Sequence, residues 1–179
     1  TDIFLSAEFV GGYGWMFPKG EFANIGVGVS TFARSQLKPL VESIRHRLLR
    51  ESRIGEALLT HTGGEIPVGG MVKSYGQLGG VDVFLAGDAA GLTNPITGAG
   101  IPSAVISGEL AGEVAIAAVA GDPNAGKDYM DELFDVFGTS LQRAFQRRQE
   151  ILGFHSAGRA LIPDDLRRTW IAYPEYWAA

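Results

Sequence analysis

At 179 residues the chain has the length of one ordinary domain and enough material to bury a core. Hydrophobic residues make up 46% and charged residues 20%, the balance of a soluble globular protein, while a net charge of −5 and a pI near 5.2 supply none of the basic footprint that nucleic-acid binding requires. The lack of cysteine excludes disulfides and thiolate metal sites, and His46, His61 and His155 are too widely spaced to suggest a metal site.

Taken in order, residues 2–10 (DIFLSAEFV) and 13–17 (YGWMF) read as strands, and residues 22–29 alternate again. The intervening Pro18-Lys19-Gly20-Glu21 predicts an antiparallel hairpin. Tyr13, Trp15 and Phe17 stand at alternate positions and therefore share one face of their strand. Such a stripe is commonly just the packed face of a sheet. Residues 36–50 carry Leu37, Leu40, Val41, Ile44, Leu48 and Leu49 on one helical stripe. Arg45, His46, Arg47 and Arg50 sit near the end of that helix, where its dipole favours them, so a solvated role is expected. A second short helix is expected over 52–60. Residues 61–70 (HTGGEIPVGG) predict a glycine-rich loop or edge strand, from which His61 could approach a site.

Residues 81–118 dominate the chain. Val81 to Ala86 is an apolar run that reads as a buried strand, broken by Gly87 and Asp88. A Gly, Asn and Pro-rich loop follows, and from Gly98 to about Val119 small and apolar residues recur at helical spacing. Glu109 and Glu113 within that helix argue against a membrane span. An acid at the carboxyl end of a strand, beside a glycine-lined helix start, suits an anion or a polar ring edge. The same Gly-Asp turn can equally do no more than end the strand and cap the helix.

Residues 124–152 predict one long amphipathic helix, or two hinged at Gly138, with Met130, Leu133, Phe134, Phe137, Leu141 and Phe145 buried. Its acids come early and its arginines late, as a helix dipole prefers. The tail has a helix expected at 164–171 after Pro163, then the aromatic run Trp170 to Trp177. Those rings suit either a membrane interface or packing onto another domain or subunit.

Two motifs carry a resemblance. Gly87-Asp88-Ala89-Ala90-Gly91 with Asn94-Pro95-Ile96-Thr97-Gly98-Ala99-Gly100-Ile101 closely resembles the second flavin-binding motif of the p-hydroxybenzoate hydroxylase superfamily, and within it the geranylgeranyl reductase branch. Tyr13-x-Trp15-x-Phe17-Pro18-Lys19-Gly20, followed by Asn24-x-Gly26-Val27-Gly28, resembles the substrate-domain segment of the same branch. The resemblance implies an FAD-dependent oxidoreductase that reduces C=C bonds of an isoprenoid lipid or prenyl chain. On the matching positions it implies cofactor contacts from Gly87, Asp88, Ala89, Pro95, Thr97, Gly98, Ala99 and Gly100. Asp88 would face the ribityl or pyrophosphate region, and the Gly98–Gly100 N–H groups would face the flavin pyrimidine edge. Substrate contacts would come from Tyr13, Trp15, Phe17, Gly26 and Gly28, the two glycines leaving room for a chain against the backbone. No catalytic acid and no metal ligand can be assigned.

The implied fold is α/β with α+β character. Antiparallel substrate-domain strands join the C-terminal strand–helix portion of a Rossmann-like FAD domain, followed by C-terminal helices. The expected division is residues 1–80, a partial substrate domain; 81–120, the FAD-binding segment; and 121–179, a helical region. No GxGxxG unit is present and the chain opens on Thr1 without Met, so it is expected to be the C-terminal part of a longer protein with weak or absent FAD binding on its own. The expected partners are an apolar substrate and an unidentified electron donor, with no nucleic acid. A homodimer, or a peripheral membrane contact of a cytoplasmic protein, remains open. Two alternatives stand beside this reading. One is a flavin monooxygenase or electron-transfer dehydrogenase of the same superfamily. The other is a catalytically silent piece that self-associates through residues such as Trp15, Trp170 and Trp177.

Overall fold

The computed structural model describes residues 1–178. They form two compact units, one of residues 1–64 with 148–178 and the other of residues 65–147. The boundaries expected at 80/81 and 120/121 both fall inside the second unit.

In the first unit, β1 (Asp2–Phe4), β2 (Gly14–Lys19) and β3 (Phe22–Val27) make an antiparallel sheet in that order. The β2–β3 hairpin forms as expected, Lys19 opposite Phe22, with Gly20 at φ +62° in the turn. The strand expected over 2–10 stops at Phe4. Ser6 explains the stop, because its Oγ accepts the Glu8 N–H at 3.2 Å while its carbonyl accepts the Phe9 N–H at 3.1 Å. That local bonding competes with a sheet ladder and turns the chain back. Phe9 consequently enters a core with Met16, Val27, Ile44 and Leu48.

Ile44 and Leu48 belong to α1 (Leu37–Arg50), whose apolar stripe packs on the sheet, while His46 is exposed. No helix forms over 52–60; the chain runs through turns and bends into an extended path. The reason lies in how α1 ends. Ser52 adopts φ +54°, its N–H bonds the Leu49 carbonyl at 2.9 Å, and the Arg53 N–H bonds the Leu48 carbonyl at 2.9 Å. This is a Schellman ending with serine where glycine is usual, sealed by Ile54 packing on the core. Ser52→Gly should relieve the left-handed strain and raise stability by about 1 kcal/mol, read as a higher denaturant midpoint at unchanged m. An unchanged or lower midpoint would contradict the assignment.

The tail of this unit carries α5 (Pro163–Arg168) and α6 (Pro174–Trp177). α5 stops before the predicted Ile171, and its first turn is held by Asp165, whose carboxylate accepts the Ile162 N–H at 3.0 Å.

The second unit holds an antiparallel pair, β4 (Tyr75–Leu78) and β5 (Val81–Phe84), joined through Gly79 and Gly80, both at positive φ. Here one expectation is overturned. β5 is not a buried strand: Val81 is 65% and Val83 36% exposed. Among the described residues β4 is its single neighbour, so one edge and much of both faces remain open. An apolar run of this kind reads as buried only where strands and helices flank it on both sides.

α2 (Ile101–Val119) follows the loop and packs against α3 (Ala125–Leu133). By length and composition α2 is apolar enough to cross a membrane. In this unit it buries only Ser107 fully and leaves Ile101, Val105, Ile116 and Val119 in solvent.

From α3 the chain continues without a break through a π-helical stretch, Phe134–Gly138, into α4 (Thr139–Ser156). The feature expected at Gly138 is therefore a change of helical pitch rather than a hinge. The wider turn presents Leu133, Phe137 and Leu141 to the core and turns Phe134 out to 59% exposure, against expectation. Tyr129 completes that core, its hydroxyl donating to the Leu85 carbonyl at 2.7 Å. The late arginines of α4 are not all solvated. Arg148, in the first unit, donates to the Gly11 carbonyl and to Ser30 Oγ, and burial pushes its pKa down from the ordinary guanidinium value.

Candidate functional site

The turn after β5 is the most tightly specified segment of the second unit. Leu85 extends the ladder by donating to the Ser74 carbonyl at 2.8 Å. Gly87 then takes φ +54°, and residues Gly87–Ala90 make one tight helical turn ended by Gly91 at φ +70°. The Gly87 N–H donates to Ser107 Oγ at 2.9 Å, and that hydroxyl donates in turn to the Ser103 carbonyl at 2.6 Å. A Cβ at Gly87 would come within 2.9 Å of the Ala104 Cβ, so α2 lies directly against the turn. The spacing of small residues at 104, 107 and 108 was the sequence signal for this contact.

Asp88 is thereby held at the exposed surface of the turn. Its Oδ1 accepts the hydroxyl proton of buried Thr93 at 2.5 Å. Its other carboxylate oxygen has no hydrogen bond among the described residues, and is available to a ligand. A Cβ at Gly100 would stand 2.8 Å from Asp88 Oδ1. Acid and helix start therefore touch, and glycine at 100 is what permits it.

The connecting loop folds around Asn94. Its Oδ1 accepts the N–H groups of Ile96 and Thr97, each at 3.0 Å, while its carbonyl accepts the Gly98 N–H at 2.9 Å. The Ala99 N–H goes to Thr97 Oγ1 at 3.2 Å, and Pro95 is buried. Two of the three N–H groups expected to face a ligand, those of Gly98 and Ala99, are thus used within the loop. The N–H groups of Gly100 and Ile101 at the start of α2 form no hydrogen bond among the described residues, as first-turn donors generally do not.

Around these groups lies an open concavity of about 520 Å³, lined by Ile66, Ala86, Gly87, Asp88, Ala89, Gly98, Gly100, Ile101 and Ala104. Five of the eight expected cofactor residues therefore share one surface. Pro95, Thr97 and Ala99 do not line it and act through the loop's shape. Ile66, Ala104, Thr93 and Ser107 are contributions not anticipated from the sequence. Ile66 comes from the glycine-rich 61–70 stretch, which is loop throughout, and Gly70 of that stretch lies against Gly91. His61 lies in the other unit and is exposed. Among the described residues no group of three or more His, Cys, Asp and Glu side chains could hold a metal ion.

The expected substrate residues lie together in the first unit. Tyr13, Trp15 and Phe17 form a row, with ring centroids 5.7 Å and 6.1 Å apart, on the face opposite buried Met16. Burial raises the Tyr13 phenol above its ordinary pKa. Gly26 does not leave open space. Trp15 stands opposite it in register and lays its indole on the glycine, where a Cβ would collide with the ring. The indole N–H donates to Asn24 Oδ1 at 2.6 Å. Gly28 lies beside the same ring.

Strand pair, acid-bearing turn and glycine-lined helix start give this α/β chain an exposed acid beside two main-chain donors, those of Gly100 and Ile101. Comparison with known proteins then places it more narrowly. No protein-family model matches. Digeranylgeranylglycerophospholipid reductase 2 of Methanopyrus kandleri is 35% identical over 156 residues, spanning 82% of this chain and 38% of that protein. Digeranylgeranylglycerophospholipid reductase 1 of the same organism is 39% identical over 142 residues, 75% of this chain and 36% of that one. Among solved structures, a geranylgeranyl bacteriochlorophyll reductase-like protein from Thermoplasma acidophilum matches with a TM-score of 0.70 at 29% identity, covering 85% of this chain and 39% of its own. Over the residues it shares with them, the chain is similar in sequence and fold to these reductases. It spans less than two-fifths of the length of these relatives.

Proposed function

We propose that the protein of which this chain is the matched portion is an FAD-dependent oxidoreductase that reduces C=C bonds of an isoprenoid lipid. The relatives' names support the substrate class, and one observation carries the cofactor reading: Asp88 and the α2 start touch across Gly100, beside an open concavity. The residues present fit such a group. Gly87 and Gly100 let α2 and the Asp88 turn close on one another beside the concavity, since a Cβ would meet Ala104 at the first and Asp88 at the second, and the Asp88 carboxylate keeps one oxygen for ribose or ribityl hydroxyls. Gly87, Asp88, Ala89, Gly98 and Gly100 would line the bound cofactor, with Pro95, Thr97 and Ala99 holding the loop. FAD bound there, once reduced by the electron donor, would supply a hydride to one carbon of the double bond.

The chain's own part is positional. The α2 start supplies positive dipole and N–H donors, and the Asp88 carboxylate stands directly beside them. Asp88 is the sole titratable side chain lining the concavity, and its task is to accept hydrogen bonds. The proton for the second carbon is expected from outside these residues. Tyr13, Trp15 and Phe17 would offer an apolar wall to the prenyl chain, with the Trp15 indole rather than bare backbone as the surface at Gly26. A cytoplasmic enzyme touching the membrane peripherally suits a lipid substrate. A second reading, self-association of the chain as given, draws support from the exposed apolar residues of α2 and from Trp177, which is 56% exposed, while Trp15 and Trp170 are half-buried.

Full-length protein incubated with FAD, a reductant and a geranylgeranyl lipid should give saturated products by mass spectrometry. Oxygen-dependent NAD(P)H consumption on an aromatic substrate, without saturation, would point instead to the monooxygenase alternative.

A further inference from the structure

The aromatic row of the first unit does not end at Tyr13. Trp170, from the tail between α5 and α6, meets the Tyr13 ring edge-on with centroids 4.7 Å apart. Phe17, Trp15, Tyr13 and Trp170 thus form a continuous line of four rings, each half-buried, with the last supplied by a segment distant in sequence. That segment is firmly held. Thr169 is buried and donates its hydroxyl to the Asp165 carbonyl at 3.0 Å, and the Trp170 carbonyl accepts the Tyr173 N–H at 3.1 Å. Tyr176 is buried a turn later, and Arg168 pairs with Glu150 of α4 at 3.0 Å.

A strand can continue a row of side chains only in its own direction, at alternate positions. Tyr13, one residue before β2, is the last ring at this alternating spacing, since position 11 is glycine. Trp170 arrives from elsewhere and stands across the end of the row, at the position where the alternating spacing offers only Gly11, so it closes the line there. We infer that Trp170 is the end wall of the prenyl-binding surface and sets how long a chain the protein accepts. This rests on the proposed reading of Tyr13, Trp15 and Phe17 as substrate contacts. Rings in a row give an apolar chain continuous contact, and a wall across the row's end limits the isoprene units that fit.

The test uses the full-length protein with farnesyl, geranylgeranyl and geranylfarnesyl lipids. Trp170→Ala should raise kcat/KM for the longest chain relative to geranylgeranyl by about tenfold, through KM with kcat kept, the scale at which an apolar pocket discriminates chain length. Trp170→Leu should shift the ratio in the same direction by less, and Trp170→Phe should restore it. Leu and Phe both retain apolar volume against Tyr13, which guards against loss of the fold. If the wild type reduces geranylgeranyl lipid and none of the three variants moves the ratio, Trp170 is not the wall. If the wild type reduces no prenyl lipid of any length, the substrate reading fails, and this inference with it.

Discussion

Replacing Gly91 by alanine should destabilise the second unit by about 3 kcal/mol or more, from two additive causes. Gly91 sits at φ +70°, where an L-residue with a side chain is strained. A Cβ there would also drive into the Gly70 carbonyl oxygen, which is backbone and has no rotamer through which to yield. The loss should appear as a lower thermal midpoint together with loss of the Asp88 geometry, because Gly91 closes the turn through its N–H to the Asp88 carbonyl at 3.0 Å. Gly108→Ala is the counterpart. It lies inside α2 with no heavy atom within 4 Å of the added Cβ, so alanine should stabilise by about 0.5–1 kcal/mol through helix propensity. Equal effects of the two substitutions would contradict the close approach of the 69–70 loop to the turn.

Asp88→Asn carries the second large effect, on the cofactor rather than the fold. An amide at 88 retains an acceptor for the Thr93 hydroxyl, so the thermal midpoint of cofactor-free protein should move by no more than about 0.5 kcal/mol in stability. Loss of the charge removes a charge-assisted hydrogen bond of about 1.5–3 kcal/mol, which weakens FAD binding by roughly ten- to a hundredfold. Titrating full-length wild type and variant with FAD reads both numbers. An unchanged dissociation constant would take Asp88 out of the cofactor site. A collapse in stability would mean that its negative charge, and not its acceptor geometry, holds the turn.

What the sequence disclosed was largely local. The β2–β3 hairpin, the α1 stripe and the start of α2 after Gly98 each carry their signal within a few residues: a turn tetrapeptide, a helical period, a glycine cluster. Misreadings arose where a competing local bond or an absent neighbour decides. Ser6 ends β1 through its hydroxyl, and Ser52 ends α1 in a conformation that a search for glycine passes over. β5 has the composition of a buried strand but lacks flanking strands here, and composition cannot reveal that. The same division runs through the site. Asp88, Gly87 and Gly100 were legible as a motif, whereas Thr93, Ser107 and Ile66 come to it by folding. Trp15 filling Gly26 is a cross-strand fact, visible once register is known. The π-helical turn that throws Phe134 outward has no sequence signal beyond Gly138.

The most direct check on the whole account is the visible absorption spectrum of the full-length protein, purified and then titrated with FAD. FAD should co-purify or bind stoichiometrically, with its bands perturbed by the Asp88–Gly100 surroundings, and bands and stoichiometry should weaken in Asp88→Asn. A folded full-length protein that stays colourless and takes up no FAD would contradict this.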